Sequence, residues 1–425
     1  MKVFLNSSPL NVTTFSPSEV EGVFSFHRTL PNYMPTPLVP LNRIAERLGV
    51  DHLFIKDEGK RFGLKAFKAL GASHAVFRIL QERSGGILRP EDFLTEKGRR
   101  LADGITFSCA TDGNHGRAVA WIARLLGKPA VIFVPRGTVH ARLEAIESEG
   151  AEVVVVDGTY DDAVRRAAEE AKSKNRLIIA DTGYADYMEI PLYIQQGYLT
   201  LFLETTIQLE ELGEKPPDIV FVQVGVGAFA FAAARYFHDP TAFPRLISVE
   251  PTAADCCLRS AEIGNGRPHS FVSTENTIMA GLNCGTPSLT AWPAVRDRFD
   301  AFVAVEDNYA REAMILLAEE GVVSGESGAA GLAALIALHA EKPDFLEKEL
   351  HIRNGARVLL INTEADTDPI EYHRIVGKTA TEVERITPGN QSISSYCQML
   401  CMRKLGGDPI FFNTIYKSHS FSHFS

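Results

Sequence analysis

Short, almost continuously apolar runs alternate along this chain with longer segments in which apolar residues return at every third or fourth place. The runs are rich in Val and Ile: "GITFSCA", "AVIFVP", "AEVVVVD", "RLIIAD", "DIVFVQVG", "RLISVE", "FVAVED" and "RVLLINTE". Between them lie helical patterns such as "DAVRRAAEEAKSK" and "REAMILLAEEG". Strands that lack a polar face are buried on both sides, so the pattern predicts an α/β fold, a mostly parallel sheet covered by helices. In such sheets ligands gather beyond the carboxyl ends of the strands, and the loops after these runs are where chemistry is expected. From about Val376 the alternation stops, and the chain ends in the polar "KSHSFSHFS". That end is read as a poorly ordered tail, with one short helix in "ISSYCQMLCMRKLGG".

Composition narrows the partners. A chain of 425 residues, 45% hydrophobic, buries a large core and has room for two domains. The net charge is −10 and the basic residues are scattered, which argues against a nucleic-acid groove and for small metabolites. The opening "MKVFLNSSPLNVTTF" does not read as a signal peptide, and no run suits a bilayer span. Six cysteines without zinc-type pairs suit a reducing compartment, so the expected location is cytoplasmic, with no metal site. A bridge from Cys256 or Cys257 to Cys284 is not expected there.

Several stretches carry candidate chemistry. In "CATDGNHGRAVAW" an aspartate, Asp112, stands in the turn that opens a helix whose buried face holds Ala118, Val119, Ile122 and Ala123. It is either the helix cap or a reactive carboxylate. Within "KDEGKRFGLKAFKALGASHA", Lys68 differs from Lys56, Lys60 and Lys65 because Phe67, Ala69, Leu70 and Gly71 surround it. Such a setting desolvates an ammonium and lowers its pKa, which favours the neutral amine that attacks carbonyls. In "VQVGVGAFAFAAARYF", Gly225 and Gly227 follow a strand and open a helix, the arrangement that offers backbone N–H groups to a phosphate. The pattern is GxGxxA, and Glu250 closes the next strand, so a nicotinamide-dependent oxidoreductase is a rival interpretation. Phe231 sits behind the loop where a small residue is expected. Asp181, Asn362, Thr363, Glu364 and Asp366 lie at strand ends, and Glu326 and Ser327 at a Gly/Ser turn where a capping role suffices for Ser327.

Taken in order, "PTPLVPL", "RFGLKAFKALG", "ATDGNHGRAVAW", "IPLYIQQGYLT", the Gly225 loop, "IMAGLNCGTPS", "SGESGAAGL" and "NTEADTDP" resemble the fold-type II pyridoxal-phosphate enzymes. Within that group they are similar to the diaminopropionate ammonia-lyase family, from about Phe26 to Lys378. The resemblance implies a three-layer α/β sandwich with a large cofactor-binding domain, residues 1–85 plus 191–378, a smaller mobile domain, residues 86–190, and a tail, residues 379–425. It implies pyridoxal 5′-phosphate as cofactor, Lys68 as the Schiff-base lysine and Phe67 beside the ring. Asn114 is implied on the 3′-oxygen, Gly225, Val226, Gly227 and Ala228 on the phosphate, and Thr363 near the ring nitrogen. Asp112 and Asp181 resemble the acidic residues that serve opposite enantiomers of a small amino-acid substrate. A homodimer is implied as well. The expected reaction is elimination of ammonia from 2,3-diaminopropionate to give pyruvate and two ammonia. The alternatives are a serine/threonine dehydratase-like lyase, the oxidoreductase, and a non-catalytic cofactor binder whose loop Phe231 distorts.

Overall fold

A computed structural model describes residues 1–6, 12–111, 113–237, 244–271, 276–352 and 355–386. All eight apolar runs form strands, and three further strands complete two sheets. In chain order the strands are β1 (Lys2–Leu5), β2 (Leu38–Pro40), β3 (His52–Asp57), β4 (Thr106–Ala110), β5 (Ala130–Pro135), β6 (Glu152–Val156), β7 (Arg176–Ile178), β8 (Ile219–Gln223), β9 (Arg245–Pro251), β10 (Ala301–Val305) and β11 (Arg357–Asn362). The larger sheet has the order β1-β10-β9-β8-β11-β3-β2, parallel except at its two edges, where β1 and β2 run antiparallel to their neighbours. The smaller sheet, β6-β5-β4-β7, is parallel throughout.

The reason the central runs have no polar face is visible in their packing. Val220 and Val222 of β8 enter one hydrophobic cluster, whereas Ile219 and Phe221 enter another on the opposite face. The first cluster continues through Phe107, Cys109, Ile132 and Val134 of the smaller sheet, so one unbroken core joins the two sheets. A third, small cluster around Val131, Phe133, Ala163 and Ala167 covers the far face of β5.

Strand order also decides where ligands can sit. β4, β5 and β6 step outward on one side, and the chain then returns to place β7 on the other side of β4. In the larger sheet β8, β9 and β10 step one way before β11 returns between β8 and β3. Each reversal leaves a crevice at the strands' carboxyl ends. One crevice is bordered by the loops after β4 and β7, the other by the loops after β8 and β11.

At the carboxyl end of the chain, Thr379 caps the short helix Ala380–Glu384, and the Glu382 side chain accepts in return from the Thr379 amide. Residues 387–425, with the helix expected in "ISSYCQMLCMRKLGG", lie outside the described residues. Asp112 also lies outside them.

Candidate active site

Lys68 is the first residue of the helix Lys68–Arg83, and the approach to it is tightly guided. Lys65 has a left-handed backbone, φ 61°, and Ala66 forms an antiparallel bridge with Glu364. Phe67 N donates to Thr363 O at 3.2 Å, and Ala365 N donates to Lys65 O at 2.9 Å. The lysine is thereby pinned to the end of β11. On the other side, Gly197 ends the helix Glu189–Gly197 and brings it so close that a Cβ there would lie 2.4 Å from Leu70 O. This close approach seats Tyr198 against the Phe67 ring, with centroids 4.6 Å apart.

Lys68 Nζ donates to Asp181 Oδ2 at 2.7 Å, across 113 positions of sequence. Burial pushes the Lys68 pKa down, as the sequence suggests, but the Asp181 carboxylate outweighs it, and with Tyr198 and Cys284 alongside holds the ammonium well above its ordinary range. The expectation of a neutral amine is therefore corrected: Lys68 carries its proton and has an acceptor in contact. For Asp181 burial likewise pushes upward, and the Lys68 ammonium reverses that, holding the carboxyl well below the usual range.

Beyond β4, the helix Asn114–Leu126 starts without a side-chain cap at Gly113. The Thr111 hydroxyl accepts from Gly113 N at 3.0 Å and Gly116 N at 3.2 Å, which caps two amides of the first turn. Gly116 has to be glycine, since a Cβ would lie 2.3 Å from Thr111 Cγ2. Asn114 Nδ2 donates to Glu364 Oε2, which joins the loop after β4 to the loop after β11. Ser327 does not cap its helix. Its amide donates to Glu364 Oε1 at 3.1 Å and its hydroxyl accepts from Gly281 N at 3.1 Å.

The glycine turn after β8 opens the helix Ala228–Tyr236, with Gly227 at φ 96°. No backbone carbonyl among the described residues accepts from the amides of Gly225, Val226 or Gly227. A Cβ at Gly225 would stand 3.1 Å from Cys284 Sγ and 3.2 Å from Gly281 O. Phe231 does not distort this turn: its amide donates to Gly227 O at 2.8 Å, and its ring turns away to meet Phe15 edge-on at 6.1 Å. The oxidoreductase alternative loses its support here. Both Glu250 carboxylate oxygens are occupied, accepting from Cys257 N and Leu258 N at 2.8 Å each, so this residue caps a helix instead of facing a ribose.

Two neighbours of Lys68 were not singled out from sequence. Tyr198 OH and His115 Nδ1 are buried and have no hydrogen-bond partner among the described residues. His115 Nε2 lies 2.7 Å from Ile179 O, so the proton sits on Nε2 and Nδ1 keeps a free lone pair. Burial lowers the pKa of this ring, which keeps it neutral. Both stretches, "GNH" and "QQGYLT", were visible, but nothing in their local pattern marks them as facing Lys68.

Comparison with known proteins agrees with this geometry. The family described as pyridoxal-phosphate dependent enzyme matches residues 29–364. A diaminopropionate ammonia-lyase of Salmonella typhimurium is 40% identical over 367 residues, covering 83% of this chain and 91% of the relative. That of Escherichia coli is 38% identical over 382 residues, covering 87% and 93%. The crystal structure of the Escherichia coli diaminopropionate ammonia-lyase in complex with D-serine superposes with a TM-score of 0.81 at 36% identity, covering 91% of this chain and 98% of that one. The same enzyme in complex with an aminoacrylate-PLP azomethine reaction intermediate gives 0.79 at 37%, covering 88% and 96%. The chain belongs to the pyridoxal-phosphate-dependent enzymes of fold type II, and within them to the diaminopropionate ammonia-lyase family. The residues present fit that cofactor: a primary amine with its proton acceptor at 2.7 Å, and a glycine turn whose amides meet no backbone acceptor among the described residues and whose lining is tight against a Cβ at Gly225.

Proposed function

We propose that this protein is a pyridoxal-phosphate-dependent carbon–nitrogen lyase that converts 2,3-diaminopropionate to pyruvate and two ammonia by α,β-elimination. The observation that carries this reading is the 2.7 Å contact between Lys68 Nζ and Asp181 Oδ2. When bound, pyridoxal phosphate supplies an aldehyde that condenses with amines and a ring that takes up the electron pair left at the substrate's α-carbon. Lys68 anchors the cofactor through Nζ, with Phe67 beside the ring. Asn114 would donate to the 3′-oxygen, Thr363 would lie near the ring nitrogen, and the amides of Gly225, Val226, Gly227 and Ala228 would hold the phosphate at a helix start.

Asp181 Oδ2, 2.7 Å from Lys68 Nζ, accepts from that nitrogen and holds it toward the site. With substrate in the site, Lys68 Nζ and Asp181 would serve the α-proton at one face. Asp112 is assigned the opposite face, and as a carboxylate it also suits the second ammonium that distinguishes this substrate from serine. The enamine that leaves is hydrolysed by water to pyruvate and the second ammonia. A cavity beside Asn114, lined by Lys65, Arg117, Arg142 and Asp366 among others, offers charges of both signs to an incoming amino acid. Among the described residues no helix is long and apolar enough to cross a membrane. A cytoplasmic location and a homodimer are part of the proposal, and light scattering on the purified protein tests the second.

The deciding experiment is an absorbance spectrum of the purified protein, followed by addition of D- and L-2,3-diaminopropionate with pyruvate detection. A visible cofactor band and pyruvate are expected, and both should vanish in Lys68→Ala. A protein that takes up no pyridoxal phosphate overturns the proposal, and a coloured protein that forms no pyruvate overturns the substrate.

A further inference from the structure

Glu364 is 2% exposed and its carboxylate is shared between two parts of the molecule. Oε1 accepts from Ser327 N at 3.1 Å, whereas Oε2 accepts from Asn114 Nδ2 and, at 3.4 Å, from Thr367 Oγ1. Its backbone is fixed too, because its carbonyl accepts from Gly325 N at 2.9 Å and the residue bridges to Ala66 beside the lysine loop. Asn114 belongs to the helix that follows β4 in the smaller sheet, and Glu364 follows β11 in the larger one.

An asparagine amide is nearly symmetric in shape but not in chemistry. One end has two N–H donors and the other an acceptor oxygen, and packing alone scarcely distinguishes them. An ionised carboxylate only accepts, so it selects the amide orientation in which Nδ2 faces it. The second N–H of Nδ2 is then directed elsewhere as a donor. If the amide flipped, its carbonyl oxygen would face the same place and repel any oxygen acceptor there.

We propose that Glu364 is a positioning residue for cofactor binding: it fixes the Asn114 amide as a donor toward the cofactor's 3′-oxygen and ties the loop after β4 to the loop after β11 in that arrangement. The inference rests on the proposed role of Asn114. Glutamine is the informative replacement, because it keeps the length and shape of Glu364 yet can either accept from Asn114 or donate to it, so the amide orientation is no longer enforced.

The test is titration of the cofactor-depleted full-length protein with pyridoxal phosphate, followed by fluorescence and by the position of the visible band, together with unfolding midpoints. Glu364→Gln is expected to weaken cofactor binding about tenfold and to shift the band, a loss typical of one hydrogen bond to a charged partner. Glu364→Asp, which remains a pure acceptor, should retain more affinity than Glu364→Gln. In an Asn114→Ala background the Glu364→Gln change should add less than twofold. If Asn114→Ala itself leaves affinity intact, the role of Asn114 falls. If Asn114→Ala weakens binding but Glu364→Gln costs the same tenfold on top of it, or Glu364→Gln binds as the parent does, the positioning role falls. An aspartate variant weaker than the glutamine variant also overturns it, since length and not acceptor character would then matter.

Discussion

Two lysines, the buried Lys56 and the half-buried Lys68, each stand 2.7 Å from a carboxylate oxygen, yet their surroundings differ completely. Lys56 Nζ donates to Glu204 Oε2, to Thr36 O at 2.7 Å and to Gln208 Oε1 at 2.9 Å, so every ammonium hydrogen is used. Its partner Glu204 also receives Arg61 through Nη1 and Nη2 at 2.8 Å each and the Tyr33 hydroxyl at 2.7 Å. Arg61 in turn forks onto Glu58. Arg61 and Lys56 hold the Glu204 carboxyl down to about 2, although burial alone pushes it up. Lys68 Nζ has one hydrogen-bond partner among the described residues, Asp181, and beside it the Tyr198 hydroxyl and His115 Nδ1 are unsatisfied. Its side chain keeps 21% of its surface exposed, against 0% for Lys56. A saturated pair holds structure, while an unsaturated one beside a crevice has bonds left to give to a ligand.

Unfolding separates the two pairs most sharply. Lys56→Ala leaves Glu204 and Glu58 with one cation fewer in a dry site, and a loss of about 3–5 kcal/mol is expected. Urea denaturation should show it as a lowered midpoint at unchanged slope. Lys68→Ala should cost less than half as much, because water can reach the vacated carboxylate. Equal losses at the two positions would remove the distinction between them.

Catalysis separates them next. Asp181→Asn keeps the shape of the side chain but cannot take a proton, and kcat is expected to fall about 10²- to 10⁴-fold for one enantiomer of 2,3-diaminopropionate. Asp112→Asn should do the same for the other enantiomer. Steady-state kinetics with each pure enantiomer checks both, and matched losses for the two enantiomers in either variant would sink the two-face assignment.

The same contrast explains what the sequence could reveal. Runs such as "IVFVQ" and "AFVAV" disclosed their strands because all their positions are buried in opposing clusters. Strand β3, "HLFIKD", was hidden, since Lys56 and Asp57 look like surface residues until Glu204 and Asn362 are seen to satisfy them. Edge strands β1 and β2 span only 4 and 3 residues, too short for a period to show. Lys68 and the Gly225 turn stood out as candidates from local motifs, and Asn114 through the family resemblance. The Lys68–Asp181 contact was not, because it depends on how the smaller sheet meets the larger one. Nor was the Asn114–Glu364 contact, for the same reason.

The smallest expected effect concerns Glu326, which is buried beside Glu364. Burial raises its carboxyl to about 7, the Glu364 charge adds to the rise, and Arg142 offsets part of it. A carboxyl whose folded pKa is raised contributes no penalty below its unfolded value of 4.5, and the penalty grows as pH climbs toward about 7. Glu326→Gln, which cannot ionise, should therefore match the parent protein near pH 4.5 and gain on it by about 1–3 kcal/mol by pH 8. Urea midpoints of both proteins across that range give the difference. Parallel curves would mean that Glu326 ionises freely, and that the crevice between β8 and β11 is wetter than its burial implies.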